Sequence, residues 1–209
     1  LAKAEKSPIS TIGKLNLMFG AYGGNILYSI YLDFANKLQN PEEYTGFDED
    51  GFLPKAYGTM SQYMGIPKDT VIKTIAKLVK MELLQKKPGT KENNNIPYYR
   101  PVLKSSVFIN LIDEKLDKIK DIKHKYDREA RETDLKILLK EFEKTPYAII
   151  ALGFIKEENI LSVTEKLQGY DNFKENLEEK QEKQEETKSP EGKENIDNKI
   201  CVSITIQRR

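Results

Sequence analysis

A mainly α (α+β) fold is predicted by three observations. Apolar residues recur at helical spacing in Ile26, Leu27, Ile30, Tyr31, Phe34 and Leu38, and again in Val71, Ile72, Ile75, Leu78 and Val79. Between them, residues 59–81 read as a short helix, a turn at Gly65-Ile66-Pro67 and a second helix. Two strand-like segments, 83–87 and 96–103, then face each other across a polar loop. A short helix, a tight turn, a second helix and a basic hairpin are the order of a winged helix-turn-helix. The expected organisation is a winged helix-turn-helix domain over 1–107, a helical region over 108–170 and a disordered acidic tail over 171–209.

The elements follow in order. Residues 1–11 read as a loose leader, and the apolar stretch 12–19 is broken by Gly20, Gly23 and Gly24. The helix around 26–38 presents one apolar face and stops before Pro41. An acidic turn, Asp48-Glu49-Asp50-Gly51, leads into a short strand at 52–57, where Pro54 demands an edge position. Thr59 is expected to cap the next helix, which runs to Met64. Gly65 supplies the backbone freedom of the turn, and Pro67 suits the entry of the following helix. Tyr63, Ile66, Val71 and Ile75 are expected where the two helices cross.

From residue 108 the character changes. Residues 110–142 are dense in alternating charge, with a narrow stripe of Ile112, Leu116, Ile119, Tyr126 and Ala130. That stripe predicts a long helix packed on one neighbour, in the manner of a coiled coil, weakening near Thr133 and restarting at 135–142. Pro146 is expected at a helix start. The apolar run 147–154 must be buried, within the domain or against a partner, and 155–167 reads as a last helix. Residues 174–199 are nearly devoid of apolar residues, which predicts disorder or a solvated helix, and 200–206 alternate as a strand does.

Charge is sorted along the 209-residue chain although the formal net charge is only +1. Residues 59–107 carry nine Lys/Arg against three Asp/Glu, and residues 174–199 carry nine acids against six lysines. That concentration points to an anionic partner for the middle of the chain. A single cysteine, Cys201, excludes an intramolecular disulfide and suits a reducing, cytoplasmic setting. No apolar run approaches the ~20 residues of a membrane helix, and no signal peptide is visible.

The second helix of the pair carries the candidate site. Lys68, Asp69, Thr70, Lys73, Thr74 and Lys77 lie on its polar side, where lysine and threonine reach phosphates or base edges in a major groove. Lys86, Lys87, Lys91, Asn94 and Arg100 lie on the hairpin, placed to touch the backbone or an adjacent minor groove. Tyr28 and Tyr31 sit at core spacing and are read as packing residues rather than a stacking platform. No catalytic constellation presents itself. His124 lies among lysines, one His and one Cys do not make a zinc site, and Asp48, Glu49 and Asp50 lack the spacing of a calcium loop. No enzyme activity, cofactor or metal is expected.

The order of helix, Asp48-Glu49-Asp50-Gly51, strand, helix-turn-helix and Tyr-rich return strand resembles the N-terminal domain of RepA_N-type plasmid replication initiators. It is also similar to phage replisome organisers and to DnaD-like N-terminal domains. The matching segments are Asn25-Ile26-Leu27-Tyr28, the acidic turn, Thr70-Val71-Ile72-Lys73 and Met81-Glu82-Leu83-Leu84, within residues 20–103. The chain departs from the pattern at Glu82, where such modules often carry glycine, and in its asparagine-rich hairpin loop. The resemblance implies a dimeric initiator that binds repeated origin sites and recruits replication proteins.

The expected function is sequence-specific binding of double-stranded DNA, in plasmid or phage-type replication initiation or in DNA segregation (plasmid partition). Transcriptional repression is the alternative within DNA binding. A primosome-like protein-interaction adaptor is the alternative of another class. A homodimer is expected, with the charged helix or the run 147–154 as its contact, and with a replication or partition protein bound through the C-terminal region.

Overall fold

The computed structural model describes residues 9–44, 46–48 and 50–168. It is mainly helical with one small three-stranded sheet. Helix α1 (Thr11–Gln39) starts under the Ser10 hydroxyl, which accepts from the Gly13 N–H at 3.2 Å. Gly20, at φ 71° and ψ 171°, breaks the helix into two arms. Only glycine adopts that conformation without strain, so the apolar stretch 12–19 becomes the first arm. On the second arm Ile26, Leu27, Ile30, Tyr31, Phe34 and Leu38 are all buried, as the periodicity requires. The helix ends at Gln39, before Pro41.

Strand β1 (Leu53–Pro54) is shorter than the expected 52–57. Helix α2 (Tyr57–Met64) begins earlier than expected, with Ala56 at its N-cap and no side-chain cap. Thr59 is therefore inside the helix, and its capping role is corrected. The turn into α3 (Lys68–Lys80) is made by Gly65 at φ 64°, with the Ile66 N–H donating to the Ser61 carbonyl at 3.1 Å. Ile66, Val71 and Ile75 are buried where α2 and α3 cross, but Tyr63 is 85% exposed. Met60, one helical turn earlier, is the buried residue of α2.

After α3 the chain forms β2 (Leu84–Lys87) and β3 (Tyr98–Pro101), both shorter than read from sequence. The sheet is antiparallel in the order β1-β3-β2, with Leu53 and Lys86 flanking Tyr99. Pro54 thus occupies an edge strand, where its missing N–H costs no ladder bond. Glu82, between α3 and β2, adopts φ 57°. The Leu83 N–H reaches back to the Leu78 carbonyl at 3.0 Å, a left-handed helix stop that normally uses glycine.

The remaining helices are α4 (Ser105–Lys118), α5 (Lys125–Glu143) and the short α6 (Ala148–Ala151), followed by helical turns over 157–168. Phe108 at the start of α4 stacks on Phe142 at the end of α5, with centroids 4.9 Å apart, so the two helices are antiparallel. The expected single long helix is corrected: a 3-10 turn (Ile119–Asp121) and the residues up to His124 break it there, and α5 runs through Thr133 without interruption. The break restarts the helical register. Tyr126 is 84% exposed and Ala130 is exposed, while Leu135, Leu138 and Phe142 are buried.

The run 147–154 lies in the interior, with Ala148, Ile149 and Leu152 fully buried. Its expected use as a dimer contact is corrected accordingly. Phe108 and Phe154 both meet Tyr31 of α1, at 6.2 and 5.6 Å between ring centroids. The boundary expected at 107/108 thus falls inside a shared core, and residues up to Leu167 form one unit. Lys14 adds a polar tie, pairing with Glu141 at 2.5 Å and donating to the Ala151 carbonyl at 3.0 Å. Among the described residues no helix is long and apolar enough to cross a membrane. The tail 171–209, including Cys201 and the strand-like 200–206, lies outside the described residues, as does most of the leader.

Glu82→Gly is expected to raise stability by about 1 kcal/mol, since a Cβ at positive φ is strained and glycine is not. Chemical denaturation measures it. A variant equal to or weaker than the parent would show that Glu82 is held there at no cost.

Candidate nucleic-acid interface

Helix α3 is amphipathic because its apolar residues recur three and four apart. Val71, Ile75 and Leu78 face the core, which turns Lys68, Asp69, Lys73, Lys77 and Lys80 outward, all exposed. Thr70 and Thr74 flank that stripe and are half-buried. Asp69 lies in the first turn, where a negative charge suits the positive end of the helix. Among the described residues no carboxylate lies within ion-pair distance of Lys68, Lys73, Lys77 or Lys80. Four cationic side chains therefore stand on one rigid helix with their charge uncompensated by contact.

The hairpin residues are differently placed. Cross-strand register and alternation put Gln85, Lys87, Tyr98 and Arg100 on one face of the sheet, and Lys86 with Tyr99 on the other. The acidic turn closes over the first face. Lys87 donates to Asp48 at 2.8 Å and to Asp50 at 2.6 Å, and its ammonium sits 4.9 Å from the Phe52 ring centroid. Arg100 donates to the Asp50 carbonyl at 3.0 Å. In the sequence, Asp48 and Asp50 read as a turn only. Their role depends on the strand register, which brings residues some forty positions apart into contact and leaves no local signal.

On the other face, Lys86 donates to the Tyr57 hydroxyl at 3.1 Å, and the Tyr99 hydroxyl donates to the same oxygen at 2.9 Å. Partial burial raises the Tyr57 pKa, but these two donors outweigh it and leave the phenol below its ordinary value. Burial pushes the Tyr99 phenol up. Lys86 is thus tied to the start of α2.

Lys91 and Asn94 project from the loop tip and are exposed. Asn94 and Asn95 both adopt φ 57°, a conformation asparagine tolerates better than most residues. Asn93 closes the loop: its side chain accepts from the Thr90 N–H at 2.9 Å and donates to the Ile96 carbonyl at 3.0 Å. The eleven residues therefore do not form one surface. The α3 stripe and the loop tip are open, whereas Lys86, Lys87 and Arg100 are engaged within the fold. His124, expected on the charged helix, precedes α5 and is exposed.

The Lys87 clamp titrates in a defined direction. Asp50 is held below the usual carboxylate range, first by the hydrogen bond from Lys87 and then by its charge, and Lys87 is held above the usual ammonium value by Asp48 and Asp50. Stabilisation from a depressed carboxylate is present above its unfolded pKa and lost as pH falls through the folded one. That from a raised ammonium is present below its unfolded pKa and lost as pH rises through the folded one. The clamp is intact at neutral pH. In Lys87→Met the Asp50 carboxyl, followed by NMR, is expected to titrate closer to the ordinary range. An unchanged Asp50 titration would mean that the clamp does not form.

Comparison with known proteins returns no match to a protein-family profile, to a curated protein or to a solved structure.

Proposed function

We propose that this chain is a sequence-specific double-stranded DNA-binding protein built on a winged helix-turn-helix, with α3 as the helix that enters the major groove. The observation that carries the reading is the row of exposed lysines on α3, which have no carboxylate partner among the described residues. Its setting agrees: α1, β1, α2, α3, β2 and β3 follow in chain order, α2 and α3 meet at a one-glycine turn, and the sheet runs β1-β3-β2. An exposed α-helix fits the major groove, and lysines there neutralise phosphates or reach guanine edges.

Lys68, Lys73, Thr74 and Lys77 are the contacts assigned to α3, and Lys91 with Asn94 those assigned to the loop tip. Lys86, Lys87 and Arg100 approach DNA only by giving up their partners, so their contribution is secondary. A symmetric DNA site would be read by a homodimer, whose contact lies elsewhere than the buried run 147–154. The resemblance to plasmid and phage replication initiators makes origin or partition-site binding the role to test first, with promoter binding as the second.

One feature favours a second reading, that of a protein-docking adaptor. Tyr63 stands exposed on α2 beside a groove lined by Tyr28, Leu32 and Met64. Aromatic side chains of that kind are enriched at protein interfaces.

Fluorescence anisotropy with selected DNA fragments separates the two. Lys73→Ala with Lys77→Ala is expected to weaken binding by roughly tenfold or more and to reduce the salt slope by about 1–2. Unmoved DNA affinity in a folded double variant would reject the groove-entering role of α3 and favour the adaptor.

A further inference from the structure

A groove of about 600 Å³ lies at the C-terminal half of α3, bounded by the first arm of α1, by α4 with its following turn, and by α5. Its floor is apolar, formed by residues such as Met18, Leu78, Ile119 and Leu135. Its rim is cationic: Lys77 from α3, Lys115 and Lys118 from α4, and Arg131 from α5. Residues far apart in sequence are brought together by the shared core, so no charge run announces this cluster.

The cations are poorly compensated. Among the described residues no carboxylate lies within ion-pair distance of Lys77, Lys115 or Arg131. Lys118 has one loose partner, Glu114, at 3.7 Å, and both side chains are mostly exposed. Lys115 is half-buried, and its pKa is lowered first by that burial and then by Lys118, Lys77 and Arg131, with Glu114 opposing. Four like charges around a concave apolar floor repel one another until an anion enters. A cavity of this size suits a small molecule with an apolar body and a few polar anchors.

We propose that this groove binds a small organic polyphosphate of the nucleoside di- or triphosphate class, its base on the apolar floor and its phosphates among Lys77, Lys115, Lys118 and Arg131. Guanidinium and ammonium groups are the usual protein partners of phosphate oxygens. A planar base covers the floor, which inorganic phosphate alone leaves exposed. The site stands whether or not α3 binds DNA, but Lys77 and Thr74 belong to both surfaces. An occupied groove therefore alters any contact that α3 makes.

Calorimetric titration of the full chain with ATP, GTP and inorganic tripolyphosphate, in the absence of DNA, tests the proposal. Saturable nucleotide binding is expected, at least tenfold tighter than tripolyphosphate, and weakened tenfold or more by Arg131→Glu and by Lys115→Ala. Circular dichroism checks that both variants are folded, and Leu161→Ala, on an exposed helical position, serves as the control that binds as the parent does. Absence of nucleotide binding up to millimolar concentration overturns the proposal. Equal affinity for tripolyphosphate overturns the role of the floor. If Arg131→Glu weakens DNA binding while no nucleotide binds, the groove is a DNA-phosphate contact instead. A failed Lys73→Ala effect with intact nucleotide binding would count against the DNA reading alone.

Discussion

The burial of Tyr31 is the contact on which the other surfaces depend. Its ring is fully buried, stacked near Phe154 and edge-on to Phe108, and its hydroxyl donates to the Val102 carbonyl just beyond β3. A phenol in that place must stay neutral, and burial pushes its pKa well above the ordinary value. One side chain of α1 therefore touches the end of the sheet, the start of α4 and the segment after α6. Phe108 extends the contact to Phe142, and truncating an aromatic of this kind costs about 3–5 kcal/mol. That is a large part of the stability of a typical domain. The helical hairpin is thus a wall of the same core, and it holds Lys115, Lys118 and Arg131 against α3.

Electrostatics then divide the surface. The basic excess of residues 59–107 is not spread evenly in space. Asp48 and Asp50 neutralise Lys87, the Asp50 carbonyl accepts from Arg100 and the Tyr57 hydroxyl accepts from Lys86, so these three hairpin cations are tethered within the fold. What remains open is the stripe on α3, the loop tip and the rim of the adjoining groove. An exposed ion pair contributes little to stability, so the clamp matters more for where the surface is positive than for how firmly it folds.

Much of this was legible in sequence where one residue period decides the outcome. The six core positions of α1 are buried as their spacing requires; of the five on α3, Val71, Ile75 and Leu78 are buried and Ile72 and Val79 half-buried; and Pro54 and Gly65 stand where their backbone chemistry puts them. The misreadings share a cause. Tyr63 is expected in the helix crossing for its hydrophobicity, yet it stands exposed while Met60 is the buried residue of α2. Tyr126 and Ala130 extended a stripe across a turn that their own register does not survive. The clamp at Lys87 and the groove cations involve residues distant in sequence, joined only by strand register or by helix packing. Glu82 occupies a left-handed stop without the usual glycine, a place where local preference yields to the fold.

Native-state hydrogen exchange in increasing denaturant tests the shared core most directly. If Tyr31 and Phe108 weld the hairpin to α1, the slowest amides of α1, α3 and α5 will converge on one opening free energy. If the α4–α5 amides open at a distinctly lower free energy than those of α1 and α3, the hairpin is a separate unit and the account of a single core is contradicted.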